Sequence, residues 1–398
     1  MINENMYQLG SAPNAIRALF AYGLERKAII GNDKVFDFSI GNPSIPAPYQ
    51  VEEAIVNLVS GDPQSIHGYT PAAGAADVRQ AIADSINRRF GMKATPDTIY
   101  LSAGAAASLS ISIQALSEGE EEFIVITPYF PEYRVWIEHA GCTCIEVPAN
   151  QQSFQLDVAA LENAITPKTK GIIINSPNNP VGTVYSRASL EALAKLLTNK
   201  EQEFQSEIFL ICDEPYREIV YDNVEVPYVP AIYDRTIVCY SYSKSLSLPG
   251  ERIGYLYVSE RMPHAHRVYL AVCGAGRALG FVCAPSLFQQ VIKHCVDTPS
   301  DVAAYDENRH LLTEELTALG YECIEPQGAF YLWVKALEPN AEAFAEKAKA
   351  YELLLVPSTS FGCQGWVRVS YCVAKQTIQA SIPAFKALME DYKTSRNT

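Results

Sequence analysis

Apolar residues in the middle of the chain come in short unbroken runs rather than in alternation. Residues 123–127 (FIVIT), 143–147 (TCIEV), 171–174 (GIII), 208–212 (IFLIC), 236–240 (TIVCY) and 253–258 (IGYLYV) are rich in β-branched side chains. Runs of this kind fit strands buried on both faces, as in a parallel sheet covered by helices. Helix-length stretches such as 186–197 (SRASLEALAKLL) lie between them. Alternating β and α elements predict an α/β fold with right-handed crossovers. One link departs from the pattern. Only a short loop holding Lys244, residues 241–252, separates the last two runs, and a parallel crossover usually needs a dozen or more residues with a helix among them. Residues 253–258 are therefore expected to form the one antiparallel strand of a mostly parallel sheet.

Beyond about residue 285 the pattern changes. Helical stretches (286–295, 302–319, 341–350) mix with short strands (321–324, 330–334, 367–371). This predicts a smaller α+β domain built from the C-terminal part and the N-terminal segment (1–44 and 286–398), beside a large domain over 45–285.

Composition narrows the function classes. The formal net charge of −14 repels phosphate backbones and argues against a nucleic-acid partner. No stretch approaches the ~18 uninterrupted apolar residues of a membrane span. The opening residues, MINENMYQLGSAPNAIRALF, lack a basic region followed by an apolar core, so a cytoplasmic location is expected. The ten cysteines form no CxxC pair and read as small core residues with reduced thiols. His264 and His266 have no neighbouring cluster to complete a metal site, and no metal is expected.

Polar residues gather directly after the apolar runs. Phe130 follows FIVIT, NSPNNPVG (175–182) follows GIII, Asp213, Glu214 and Tyr216 follow IFLIC, and Ser241, Ser243 and Lys244 follow TIVCY. Ligands of open α/β sheets bind outside the carboxyl ends of the strands, so these side chains should converge on one edge. Their chemistry is specific. A lysine can form a Schiff base with a carbonyl cofactor, a buried carboxylate can keep a pyridine nitrogen protonated, an aromatic face can stack on a flat heterocycle, and a small-residue turn opening a helix can bind phosphate.

These segments resemble those of fold-type I pyridoxal-phosphate enzymes, in the class I/II aminotransferase family that includes aspartate aminotransferase. SYSKSLSLPGERIGY (241–255) is similar to the cofactor-lysine motif, with Arg252 eight positions after Lys244. NSPNNPVG resembles the Asn-Pro turn, DEPY (213–216) the Asp-x-x-Tyr motif, YTPAAG (69–74) the tyrosine-to-glycine turn and WVRVSY (366–371) the C-terminal arginine strand. Five matches in the family's order carry far more weight than any one of them.

The resemblance implies a role for each residue. Lys244 would hold pyridoxal 5′-phosphate covalently and, once released, move a proton between the substrate Cα and the cofactor's C4′. Asp213 would pair with the ring nitrogen, with Glu214 as a structural neighbour. Tyr216 and Asn179 would hydrogen-bond the ring oxygen, although Asn-Pro is also an ordinary turn signal. Phe130 would stack on the ring. Gly104, Ala105 and Ala106, opening an apolar helix, would bind the phosphate with Ser241, Ser243 and Arg252. Tyr69 would reach the phosphate of a neighbouring subunit, which requires a homodimer. Arg368 would clamp the substrate α-carboxylate, and Gly41 would lie over it.

The implied reaction moves an amino group from an L-amino acid to a 2-oxo acid such as 2-oxoglutarate, with aspartate or an aromatic amino acid as donor. Thermophile-type aspartate aminotransferases carry a lysine near the phosphate-loop glycine to grip a distal carboxylate, and here that position is Ala106. Arg277 lies near where other members place a distal-carboxylate arginine. Tyr22, Tyr129 and Tyr133 could line an aromatic pocket or serve as core and entrance residues. A C–S β-lyase would keep every cofactor residue named. A pyridoxal-phosphate-sensing regulator would need a DNA-binding domain of ~60–80 residues for which the chain has no room, and a nicotinamide enzyme would need a GxGxxG after an early strand.

Overall fold

The computed structural model of the protein describes residues 2–11 and 15–396. They divide into two compact units. The larger runs from Pro43 to Ala304 and takes in Gln327–Ala329, and the smaller contains the segment up to Asn42, Tyr305–Pro326 and the chain from Phe330 onward.

A seven-stranded sheet organises the larger unit. Across it the strands run Ile99–Ser102, Gly254–Val258, Thr236–Ser241, Phe209–Asp213, Thr169–Asn175, Glu122–Thr127 and Thr143–Pro148. Gly254–Val258 pairs antiparallel with both of its neighbours, and the other pairs are parallel. The Lys244 segment, whose one helix is the short Tyr242–Ser245, thus returns the chain antiparallel.

Side-chain alternation along the strands sorts residues into two cores. Ile124, Ile172, Leu210 and Val238 pack on one face with Ile82 and Ile86 of helix Ala76–Phe90 and Leu193 and Leu197 of helix Arg187–Phe204. Phe123, Ile173, Ile211 and Ile237 pack on the other with Leu109 and Ile113 of helix Ala105–Leu116 and Val272 of helix Ala265–Leu279. Cover on both faces is why these strands read as unbroken apolar runs.

Three sequence expectations need correction. Thr143–Pro148 is an edge strand in which Val147 alone is buried, because an edge lets polar side chains such as Glu146 face outward. The helix expected over 186–197 runs to Phe204, starting from the Ser186 cap whose hydroxyl accepts from Ser189 N–H at 3.1 Å. Its added turns are polar, held by Lys200–Glu203 at 2.9 Å and Arg235–Glu201 at 3.1 Å. The large unit does not stop near 285. Helix Ser286–Cys295 packs on helices Tyr49–Val59 and Ala76–Phe90 through Val291 and Ile292. Strand Ile99–Ser102, buried throughout, was not anticipated, since four residues between a tight turn and a glycine leave little pattern to read.

In the smaller unit an antiparallel sheet runs Val356–Pro357, Trp366–Ser370, Tyr331–Lys335, Cys323–Ile324. Phe36–Asp37 pairs in parallel with Leu353–Leu354, so the N-terminal segment belongs to this unit. Among the described residues no helix is long and apolar enough to cross a membrane.

Candidate active site

Three adjacent parallel strands of the larger unit bring their carboxyl ends together. Asn175 lies opposite Asp213, and Asp213 opposite Cys239, two residues before Ser241. Asn175 ties the ends to the following loop, because its Nδ2 donates to Asp213 O at 2.8 Å and its Oδ1 accepts from Asn179 N–H at 2.6 Å. Asn179 and Tyr216 are both buried here.

The Asp213 carboxylate is buried, and its two oxygens differ. Oδ2 accepts a hydrogen bond from the Tyr133 hydroxyl. Oδ1 is enclosed and has no hydrogen-bond partner among the described residues. Burial pushes the acid's pKa up to about 7, Tyr133 opposes that rise, and the Glu214 charge adds to it. Tyr133 is itself held protonated, first by burial and then by the Asp213 charge. A buried acceptor left bare costs roughly 1–3 kcal/mol, so this oxygen is suited to a donor brought by a ligand.

Beyond the next strand, helix Tyr242–Ser245 starts at once, with the Ser241 hydroxyl accepting from Ser243 N–H at 3.2 Å. Ser241 and Ser243 hydroxyls lie 2.7 Å apart. Lys244 is half-buried between buried neighbours. Arg252 joins this turn to another: its Nη1 lies 3.4 Å from Ser243 Oγ, and its Nη2 donates to Ala103 O at 3.1 Å. Gly104 adopts φ +83°, and a Cβ there would come 2.7 Å from Arg252 Nη2, so a side chain would displace the guanidinium. Helix Ala105–Leu116 starts from Gly104, with Ala105 buried and Ala106 half-buried in its first turn. Two hydroxyls, one guanidinium and a helix N-terminus thus form a cradle suited to an anion.

Phe130 is half-buried and meets the Tyr133 ring edge-on at 5.8 Å. Tyr69 is fully exposed. Arg277 lies exposed in the last turn of helix Ala265–Leu279. In the smaller unit Arg368 is buried on strand Trp366–Ser370, donates from Nη2 to Ser39 O at 2.5 Å, and lies over the rings of Tyr331 (4.5 Å) and Phe361 (5.1 Å). Gly41 follows two residues after Ser39, and a Cβ there would fall 2.1 Å from the Tyr331 hydroxyl. That packing is reason enough for a glycine.

The family profile of aminotransferase class I and II matches residues 33–385. The chain belongs to this family. The aspartate aminotransferase of Thermotoga maritima is 30% identical over 377 residues, covering 93% of this chain and 94% of its own. Aromatic-amino-acid aminotransferase 2 of Thermococcus litoralis is 27% identical, covering 96% and 97%. Among solved structures, an amino transferase from Eubacterium rectale superposes with a TM-score of 0.96 at 54% identity, over 98% of this chain and 99% of that one. The Thermus thermophilus aspartate aminotransferase with maleate superposes with a TM-score of 0.86 at 26% identity, over 98% and 99%.

Two participants in this aminotransferase's candidate site escaped the sequence reading. Tyr133 and Tyr129 are buried, in keeping with the core alternative of the two the sequence leaves open. What the sequence does not show is their hydroxyl partners: Tyr133 donates to Asp213, and Tyr129 donates to Glu146 at 2.6 Å. Tyr22 lies in the smaller unit beneath the Lys349 ammonium, 5.1 Å from its ring centre. Asn175 read as part of a turn, and only its two opposed hydrogen bonds reveal it as the strut between strand end and loop. Glu214 forms a buried pair with Arg217, at 2.5 and 2.6 Å. None of the ten cysteines is in a disulfide. Among the described residues, His264 and His266 belong to no group of three or more metal-ligating side chains.

Proposed function

We propose that this aminotransferase works with pyridoxal 5′-phosphate, moving an amino group between an L-amino acid and a 2-oxo acid such as 2-oxoglutarate. The observation that carries the reading is the bare, buried Oδ1 of Asp213, which fits the protonated ring nitrogen of a pyridine. The rest of the cofactor also finds matching groups. Arg252, Ser241, Ser243 and the amides after Gly104 suit its phosphate, Phe130 suits its ring face, and Tyr216 and Asn179 suit its ring oxygen. When bound, the cofactor supplies an electron sink for the pair left as the substrate Cα–H bond breaks.

The chain's own residues do the remaining work. Lys244 would hold the cofactor covalently, and its ε-amine, once free, would carry the proton removed from the substrate Cα. Asp213 would pair with the ring nitrogen and favour its protonated form. Arg368 grips the substrate α-carboxylate with parallel hydrogen bonds, and Gly41 lies beside that carboxylate. Tyr69, fully exposed in the single chain, completes the phosphate cradle of a second copy in a homodimer. The larger unit acts as cofactor domain, and the protein works in the cytoplasm. Aspartate and aromatic amino acids are the donors that the relatives' names suggest. Arg277 is the candidate for a distal carboxylate, since Ala106 offers no charge.

Mixing the loaded enzyme with a single amino acid and no acceptor tests the proposal. The visible band should fall as one equivalent of 2-oxo acid appears. Borohydride reduction of the resting enzyme should attach the cofactor at Lys244, read by peptide mass, and Lys244→Ala should abolish both results. No spectral change with any of the common amino acids, or attachment elsewhere, overturns it.

A further inference from the structure

Tyr69 is fully exposed, so the place of its ring is set by the backbone that carries it. The turn that follows is firmly mounted at its far end. Gly74 N–H donates to Pro71 O at 2.8 Å, Leu101 N–H to Ala73 O at 2.9 Å and Cys283 N–H to Ala72 O at 3.0 Å. Gly74 adopts φ +99°, and a Cβ there would fall 2.4 Å from Leu101 Cδ1, so the turn lies directly on strand Ile99–Ser102. The near end, Thr70, is held by Gln289 of helix Ser286–Cys295. Gln289 Nε2 donates to Thr70 Oγ1 at 3.1 Å and to Ala284 O, and its Oε1 accepts from Ala75 N–H at 2.8 Å. Gln289 is fully buried. A buried amide is costly unless its polar groups are satisfied, and a methionine would fill similar space without that demand. What the amide adds is a three-way tie between the start of the turn, its end and the segment before its own helix. Phe281 and Val282, next to Cys283, are exposed apolar side chains, a surface suited to a second copy of the chain.

We propose that Gln289 is a positioning residue that works across a dimer: by tying Thr70 to Ala75 and Ala284 it sets where Tyr69 stands, so one copy's Gln289 governs how tightly the other copy grips the cofactor phosphate. The inference rests on the reading of Tyr69 as a phosphate ligand of a second copy. Without the amide, Thr70 loses a donor, Ala75 N–H loses its acceptor, and the turn can pivot on the bonds left at Ala72 and Ala73. A hydroxyl must lie within about 3 Å of a phosphate oxygen to bond it, so a pivot of about 1 Å breaks that bond. The groups a copy supplies to its own site, Arg252 and Ser241 among them, stay in place.

Gln289→Met removes the amide and keeps the volume. Its homodimer should bind pyridoxal phosphate roughly 10-fold more weakly, with affinity for pyridoxal, which lacks the phosphate, unchanged. Hybrid dimers locate the effect, because a Lys244→Ala chain leaves one borohydride-reducible site per dimer. Pairing a Gln289→Met chain with a Lys244→Ala chain should restore wild-type affinity at that site, since its Tyr69 comes from the chain with an intact mount. Placing both substitutions on one chain beside a wild-type partner should weaken the remaining site as in the homodimer. Thr70→Val, which removes only the hydroxyl that Gln289 holds, should follow the same pattern with a smaller loss. Weakening that travels with the chain carrying Lys244 overturns the proposal, as does no weakening in any pairing or an equal loss for pyridoxal. Tyr69→Phe in the same hybrids separates the two claims. No loss across the dimer there sinks the Tyr69 reading and this proposal together, whereas a loss there but none for Gln289→Met sinks this proposal alone.

Discussion

Asp213 and Glu214 are neighbours in the chain and both are buried, yet their surroundings are opposite. Glu214 receives two hydrogen bonds from Arg217 at 2.5 and 2.6 Å. That guanidinium in turn sits over the rings of Phe90 (5.3 Å) and Tyr228 (5.1 Å) and donates to the carbonyls of Val226 and Pro227. Asp213 has a single neutral donor and one bare oxygen. A saturated buried charge is scaffolding with nothing left to offer a ligand. An unsaturated one, kept in place by a rigid sheet, is a socket.

Removing a partner from the saturated side should have the largest effect. Arg217→Ala strands the Glu214 charge and should cost about 3–5 kcal/mol of stability, measured by denaturant unfolding of the cofactor-free protein. On the socket side the effect depends on pH. The Asp213 pKa is raised in the fold, from 3.8 to about 7, so the stability gained from a neutral acid is fully present below about pH 4. That contribution is lost as pH rises through about 7. Asp213→Asn cannot ionise. Across that window it should gain on wild type by roughly 4 kcal/mol in the cofactor-free state, while the loaded enzyme's half-reaction slows about 10²–10³-fold. Parallel stability curves for the two proteins would show that the acid is not desolvated. The smallest change should come from replacing the whole saturated pair. Glu214→Leu with Arg217→Met should stay within about 1 kcal/mol of wild type or exceed it, with the half-reaction retained. Loss of the half-reaction there would erase the distinction between scaffold and socket.

The sequence exposed much of this arrangement because burial leaves a mark. Strands such as Phe209–Asp213 and Thr236–Ser241 are covered on both faces and so appear as unbroken apolar runs. A charge placed just after such a run, as at Asp213 or Lys244, stands out against them. The antiparallel return of Gly254–Val258 was legible because the segment before it holds no stretch long enough for a crossover helix. What stayed hidden depends on contacts across distance. Tyr133 sits among Tyr129, Phe130 and Trp136, where one more aromatic residue reads as core, and only the position of its hydroxyl separates it from its neighbours. Gly41 gave no sign of its reason, since the Tyr331 hydroxyl that excludes a side chain is far along the chain. The end of the larger unit was misplaced because an amphipathic helix such as Ser286–Cys295 does not announce which sheet it covers.

The antiparallel return also fixes where the Lys244 amine can be. Ser241 pairs with Gly254 across the ladder, and Tyr242 N–H donates to Ile253 O at 3.2 Å. The segment carrying Lys244 and Arg252 is therefore a closed loop whose two feet stand on adjacent strands. A slip of one residue between those strands would turn every side chain to the opposite face, and would carry Arg252 away from Ser243 and Gly104 together. The chemistry thus inherits its alignment from a hydrogen-bond ladder that forms with the sheet, before any ligand arrives.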